Sequence, residues 1–86
     1  MRLLNIGYGN LLASSRILAI ISPDSAPVKR LIQEKRDEGK LIDATAGRKT
    51  RSVICSDNGF IILSAIQADT LNNRMTEEGD MFRHED

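Results

Sequence analysis

Short apolar runs separated by glycine, proline and asparagine set out the elements of this chain. Leu3-Leu4-Asn5-Ile6 is a brief apolar stretch that predicts a strand. Gly7-Tyr8-Gly9-Asn10 after it is a turn, because glycine and asparagine tolerate positive φ. Leu11 to Ala13 starts a second strand. Arg16 to Ser22 is a near-continuous apolar run, the pattern expected of a strand buried on both faces. Pro23 ends it, and Asp24 or Ser25 is placed to cap a helix with Pro27 in its first turn. Val28, Leu31, Ile32 and Lys35 follow at helical spacing, and Gly39 supplies the stop, so a helix is predicted over 25–38. Leu41 to Thr45 predicts a strand, Ala46 to Thr50 a basic hairpin turn, and Arg51 to Ser56 the next strand. Asp57-Asn58-Gly59 is a hairpin signal of the type I′ kind, with Phe60 to Ile66 as the returning strand. Ala68, Leu71 and Met75 predict a short helix over 68–76. The order β-β-β-α-β-β-β-α makes the fold α+β, a small mostly antiparallel sheet with one main helix.

A chain of 86 residues holds one domain, here read as 1–76, followed by a flexible acidic tail over 77–86. Leu, Ile, Val and Phe make up about a quarter of the residues, enough to fold but with a thin core. Cys55 is the only cysteine and His84 the only histidine, so an internal disulfide and a four-ligand Cys/His zinc site are both excluded. Small domains that lack those supports often associate, and six short strands around one main helix leave sheet edges open for it. No apolar run approaches the length of a membrane span, and no signal-peptide pattern stands at the start. A soluble cytoplasmic protein with a reduced thiol is therefore expected, with no membrane partner.

Net charge is zero, yet its distribution is uneven. Residues 1–54 carry ten cationic and five acidic side chains, whereas residues 55–86 carry two and seven. Such asymmetry points to nucleic-acid or membrane contact. Catalysis is not expected. Asp24 reads as a cap, Asp57 as a turn residue, Glu34, Asp37 and Glu38 as the wet face of a helix, and no base stands ready to activate a nucleophile. Gly7-Tyr8-Gly9 lacks the spacing and the lysine of a phosphate loop, so it reads as a turn. No cofactor, metal or small-molecule substrate is expected. Gly47-Arg48-Lys49-Thr50-Arg51 is more informative, since it sets three cations around a projecting turn. Such cations either reach phosphates or simply keep a turn solvated. Arg16, at the mouth of its apolar strand, is either a second phosphate contact or a charge that blunts strand pairing. Tyr8, Phe60 and Phe82 are too few for a base-stacking platform, which favours duplex backbone over single strands.

The segments Asn5-Ile6-Gly7-Tyr8-Gly9-Asn10, Ser22-Pro23-Asp24-Ser25-Ala26-Pro27-Val28-Lys29-Arg30 and Leu41-Ile42-Asp43-Ala44-Thr45-Ala46-Gly47-Arg48-Lys49-Thr50-Arg51, in that order and spacing, resemble the bacterial RemA family of extracellular-matrix regulatory proteins. The likeness runs from about Leu3 to Met75. It implies a DNA-binding transcriptional regulator of biofilm-matrix and osmoprotection genes, assembled into a homo-oligomeric ring with duplex DNA on its outer side. It also implies that Arg16, Arg48 and Lys49 bind DNA. Lys49 departs from the commoner arginine at that position and loses the bidentate fork. Arg51 joins them from the reading of the basic turn. The alternative, from another class, is a ring-forming structural or adaptor protein that binds a protein partner, or RNA, through the same basic rim.

Overall fold

The computed structural model describes residues 2–83, with side-chain surroundings over 2–76. Its elements follow the expected order: β1 (Leu3–Gly7), β2 (Asn10–Ala13), a 3-10 turn (Ser14–Arg16), β3 (Ile17–Ile21), α1 (Ala26–Glu38), β4 (Leu41–Asp43), β5 (Ser52–Ser56), β6 (Ile61–Ser64) and α2 (Ala68–Arg83). The fold is α+β with mostly antiparallel strands. β1 and β2 form a separate hairpin, and the other strands form one sheet in the order β3-β5-β6-β4. Only β4 and β6 run parallel.

β5 and β6 are the central strands, and side-chain alternation sends their residues to two cores. Ile54 and Ile62 face a cluster with Leu4, Ile6, Ala44 and Leu71, beneath the β1–β2 hairpin and α2. Val53, Ile61 and Leu63 face the opposite way, against Val28, Leu31 and Ile32 of α1. The sheet is thus covered on both sides. Ser64 ties the layers together, since its hydroxyl donates to the Ile6 carbonyl at 2.8 Å. Among the described residues no buried side-chain nitrogen or oxygen lacks a partner, which is what keeps buried serines tolerable.

The predicted helix over 25–38 is α1. The Ser25 hydroxyl accepts the Val28 N–H, so Ser25 and not Asp24 is the cap, worth about 1 kcal/mol. Gly39 closes the helix in the left-handed conformation (φ 75°), and the Lys40 N–H reaches the Lys35 carbonyl. α2 starts at the predicted Ala68 but continues to Arg83, so it takes in most of the stretch read as tail. Glutamate, methionine and arginine are good helix formers, and no proline interrupts residues 77–83. Residues 84–86 of the predicted tail lie outside the described residues. None of the helices described is long and apolar enough to cross a membrane.

Three expectations need correction. The Arg16–Ser22 run is not a strand buried on both faces. β3 is an edge strand, its register is bulged between Ile17 and Ala19, and Leu18 is 73% exposed. The basic segment is not a hairpin tip, because β4 pairs with β6 and β5 lies on the far side of β6; residues 44–51 form a crossover loop. The β5–β6 hairpin is real, but its turn is not type I′, since Asn58 does not take positive φ. The Gly59 N–H donates to Ser56, the Ser56 N–H to Phe60, and Gly59 alone is left-handed at φ 87°. That is a type I turn closed by a glycine bulge.

Candidate nucleic-acid interface

The crossover loop is stiff at its start. The Asp43 carboxylate accepts both the Thr45 N–H (2.9 Å) and the Thr45 hydroxyl (2.6 Å). Those two bonds hold the Asp43 carboxyl below the usual carboxylate range, with the nearby Arg36 adding slightly. Asp43 is therefore a turn-former within its apolar strand. Next, the Thr45 carbonyl accepts the Arg48 N–H at 3.0 Å, closing a tight turn whose central residues, Ala46 (φ 55°) and Gly47 (φ 79°), are both left-handed. Arg48 and Lys49 leave this turn exposed to solvent. The chain is pinned again at Arg51, whose N–H donates to the Ser64 carbonyl at 2.8 Å. Lys49 and Arg51 line one polar cleft of about 290 Å³, together with Ser22, Pro23 and Asp24 before α1 and Gln67, Ala68 and Asp69 at the start of α2.

Arg16 ends the 3-10 turn, and its side chain is 63% exposed. Its guanidinium lies 3.5 Å from the Asp57 carboxylate, while the Asp57 N–H donates to the Arg16 carbonyl at 2.9 Å. Asp57 is thus fixed beside Arg16 by backbone and engages it by side chain. Beside this pair, Leu12, Ile42, Phe60 and Ile62 line a more apolar hollow of about 250 Å³.

The expected site residues form two groups. Arg48, Lys49 and Arg51 share one loop. Arg16 stands at the other end of β5, where Ile17 pairs with Ser56, whereas Arg51 precedes Ser52 at the first end. A five-residue strand puts about 17 Å between the two groups.

Two features of the site escaped the sequence. One is Asp57, read only as a turn residue. The other is Tyr8, whose ring lies 5.9 Å from the Arg48 guanidinium carbon, within reach of a cation–π contact. Tyr8 is itself left-handed (φ 54°). An aromatic residue between two glycines is the signal that could have drawn notice, because such a residue resists positive φ. Cys55 serves as packing against the α1 side of the sheet, and burial pushes its thiol up. Among the described residues, no three His, Cys, Asp or Glu side chains are grouped to hold a metal.

Known proteins bear out the family indicated by the sequence motifs. A regulatory protein of Clostridium beijerinckii is 52% identical over 86 residues, covering all of this chain and 96% of the relative. One from Geobacillus thermodenitrificans is 52% identical over 80 residues, 93% of this chain and 92% of its own. One from a Synechococcus strain is 59% identical over 73 residues, 85% and 82% of the two chains. The family model described as extracellular matrix regulatory protein A-like matches residues 3–75, and the chain belongs to this RemA-like family.

Proposed function

We propose that this chain is a regulator that binds duplex DNA through its phosphate backbone, as a homo-oligomeric ring with Arg16, Arg48, Lys49 and Arg51 on its outer side. The observation that carries the reading is the crossover loop. Asp43 and Thr45 hold it, two left-handed residues bend it, and its exposed cations need no large rearrangement to meet a phosphate. Preorganised donors lose less freedom on binding. Relatives named as regulatory proteins support the regulatory half of the proposal.

Assembly follows from the same physics. A subunit with zero net charge and a few well-placed cations binds DNA weakly, since each phosphate contact releases few counterions. Joined subunits make later contacts intramolecular and raise affinity by orders of magnitude. Both outer strands of the sheet, β3 and β4, have free edges and exposed apolar side chains, Leu18 at 73% and Ile42 at 47%.

The test is electrophoretic mobility of duplex DNA at two salt concentrations with the parent chain, Arg16→Ala and the double variant Arg48→Ala/Lys49→Ala. Both variants are expected to fold, to bind at least tenfold more weakly (roughly one lost charge-assisted contact per subunit, repeated around the ring) and to show a flatter salt dependence. Parent-like affinity in a folded double variant refutes the reading. Intact assembly with no affinity for any duplex favours the adaptor class instead.

A further inference from the structure

We infer that Tyr8 is a positioning residue for DNA binding: its ring holds the Arg48 guanidinium in place, so the Gly7-Tyr8-Gly9 turn and the crossover loop act as one surface. The inference rests on the DNA-binding reading of the loop. It gives a role to a glycine-flanked turn that no phosphate-loop chemistry explains.

Three observations carry it. Tyr8 and Ala46 are the only non-glycine residues with positive φ among the described residues, and the two turns they occupy meet where Arg48 lies over the Tyr8 ring. Left-handed backbone is unfavourable for an aromatic residue, and such strain persists only where its surroundings enforce it. Here they do. The Gly7 N–H donates to the Asn5 side chain at 2.9 Å, and the Asn10 amide donates to the Gly7 carbonyl at 2.9 Å and more weakly to that of Tyr8. Gly7 is also pressed against Ile66, where a Cβ would come within 3.2 Å of its side chain. A fixed turn therefore presents a large ring that is 55% exposed and buries little of itself. Core packing does not account for a tyrosine there, whereas a neighbouring arginine does. An exposed arginine otherwise samples many rotamers, and a flat aromatic face restricts that freedom before a phosphate arrives.

Asparagine is at ease in the left-handed region. Tyr8→Asn therefore removes the ring while easing the turn, and is expected to keep or raise the melting temperature yet weaken duplex binding by about threefold or more. Tyr8→Phe keeps the ring and is expected to bind like the parent. The effects are expected to couple, so that in an Arg48→Ala background Tyr8→Asn costs no further affinity. Unchanged affinity in Tyr8→Asn, or an equal loss with and without Arg48, overturns the inference. A second measurement stands apart from both folding of variants and DNA. Tyr8 is the only tyrosine and there is no tryptophan, so intrinsic emission reports this one ring. Arg48→Ala is expected to change the intensity of that emission in the free protein, and an unchanged emission overturns the contact. If the parent chain binds no duplex while emission responds to Arg48→Ala, the contact stands and the DNA-binding reading is what fails.

Discussion

Asp57 governs how much of the charge on Arg16 a phosphate meets. The carboxylate sits 3.5 Å from the guanidinium and competes with DNA for it. Asp57→Asn keeps the backbone bond to the Arg16 carbonyl and removes the competing charge. Because exposed ion pairs are individually weak, the expected gain is about two- to fivefold in duplex affinity, with a steeper salt dependence. Fluorescence anisotropy of a labelled duplex at two salt concentrations measures both. Asp43 acts differently, through the loop. Its lowered native pKa means that the unfolded chain binds more protons near pH 4, so stability rises with pH there. The contribution is complete above the unfolded value, about pH 4, and is lost as pH falls through the lower native one. Asp43→Ala is expected to cost about 1 kcal/mol at neutral pH, and to flatten the loss of melting temperature below about pH 4. Thermal melts from pH 2 to 7 would show it. The cations themselves could be picked from the sequence because they sit in turns. Asp57 and Tyr8 could not, because each acts on a residue from a different element.

The free strands test assembly. Leu18→Lys on β3 and Ile42→Lys on β4 place charge at exposed edge positions that support no core. Each is expected to leave the monomer folded and to reduce the assembled mass seen by light scattering with size exclusion; unchanged mass in both would place the contact elsewhere. These strands also mark where sequence reading stops. α1 was legible almost to the residue because Ser25, Pro27, the apolar stripe and Gly39 act locally. β3 was misread because an apolar run looks alike whether its second face meets a core or is left open. The separation of β4 and β5 was illegible for a related reason: strand adjacency is decided by contacts distant in sequence, here the parallel register of Leu41 to Asp43 on Ile61 to Leu63.

The acidic C-terminal stretch bears on the molecule as a whole. Residues 77–86 hold five acids and one arginine, while Leu71 and Met75, which pack α2 onto the core, come before them. Deleting 77–86 is expected to keep the domain folded, with duplex affinity equal or tighter, because the excess negative charge repels phosphates. Weaker binding by the shortened chain would reveal a positive role for the stretch. The two cation groups, about 17 Å apart along β5, set a second expectation. The shortest duplex bound well should exceed what one domain covers, as length-dependent titrations would show.

The two free edges are not alike: β3 is the antiparallel neighbour of β5, and β4 the parallel neighbour of β6. If subunits join through them, each copy gives one kind of edge and takes the other, so growth has a direction. A copy blocked at β3 alone still docks through β4 and then offers its neighbour nothing. Such a copy is a chain terminator. Mixed with parent protein in the same cell, it would spoil every closed assembly that admits it, and regulation would collapse well before defective copies became the majority.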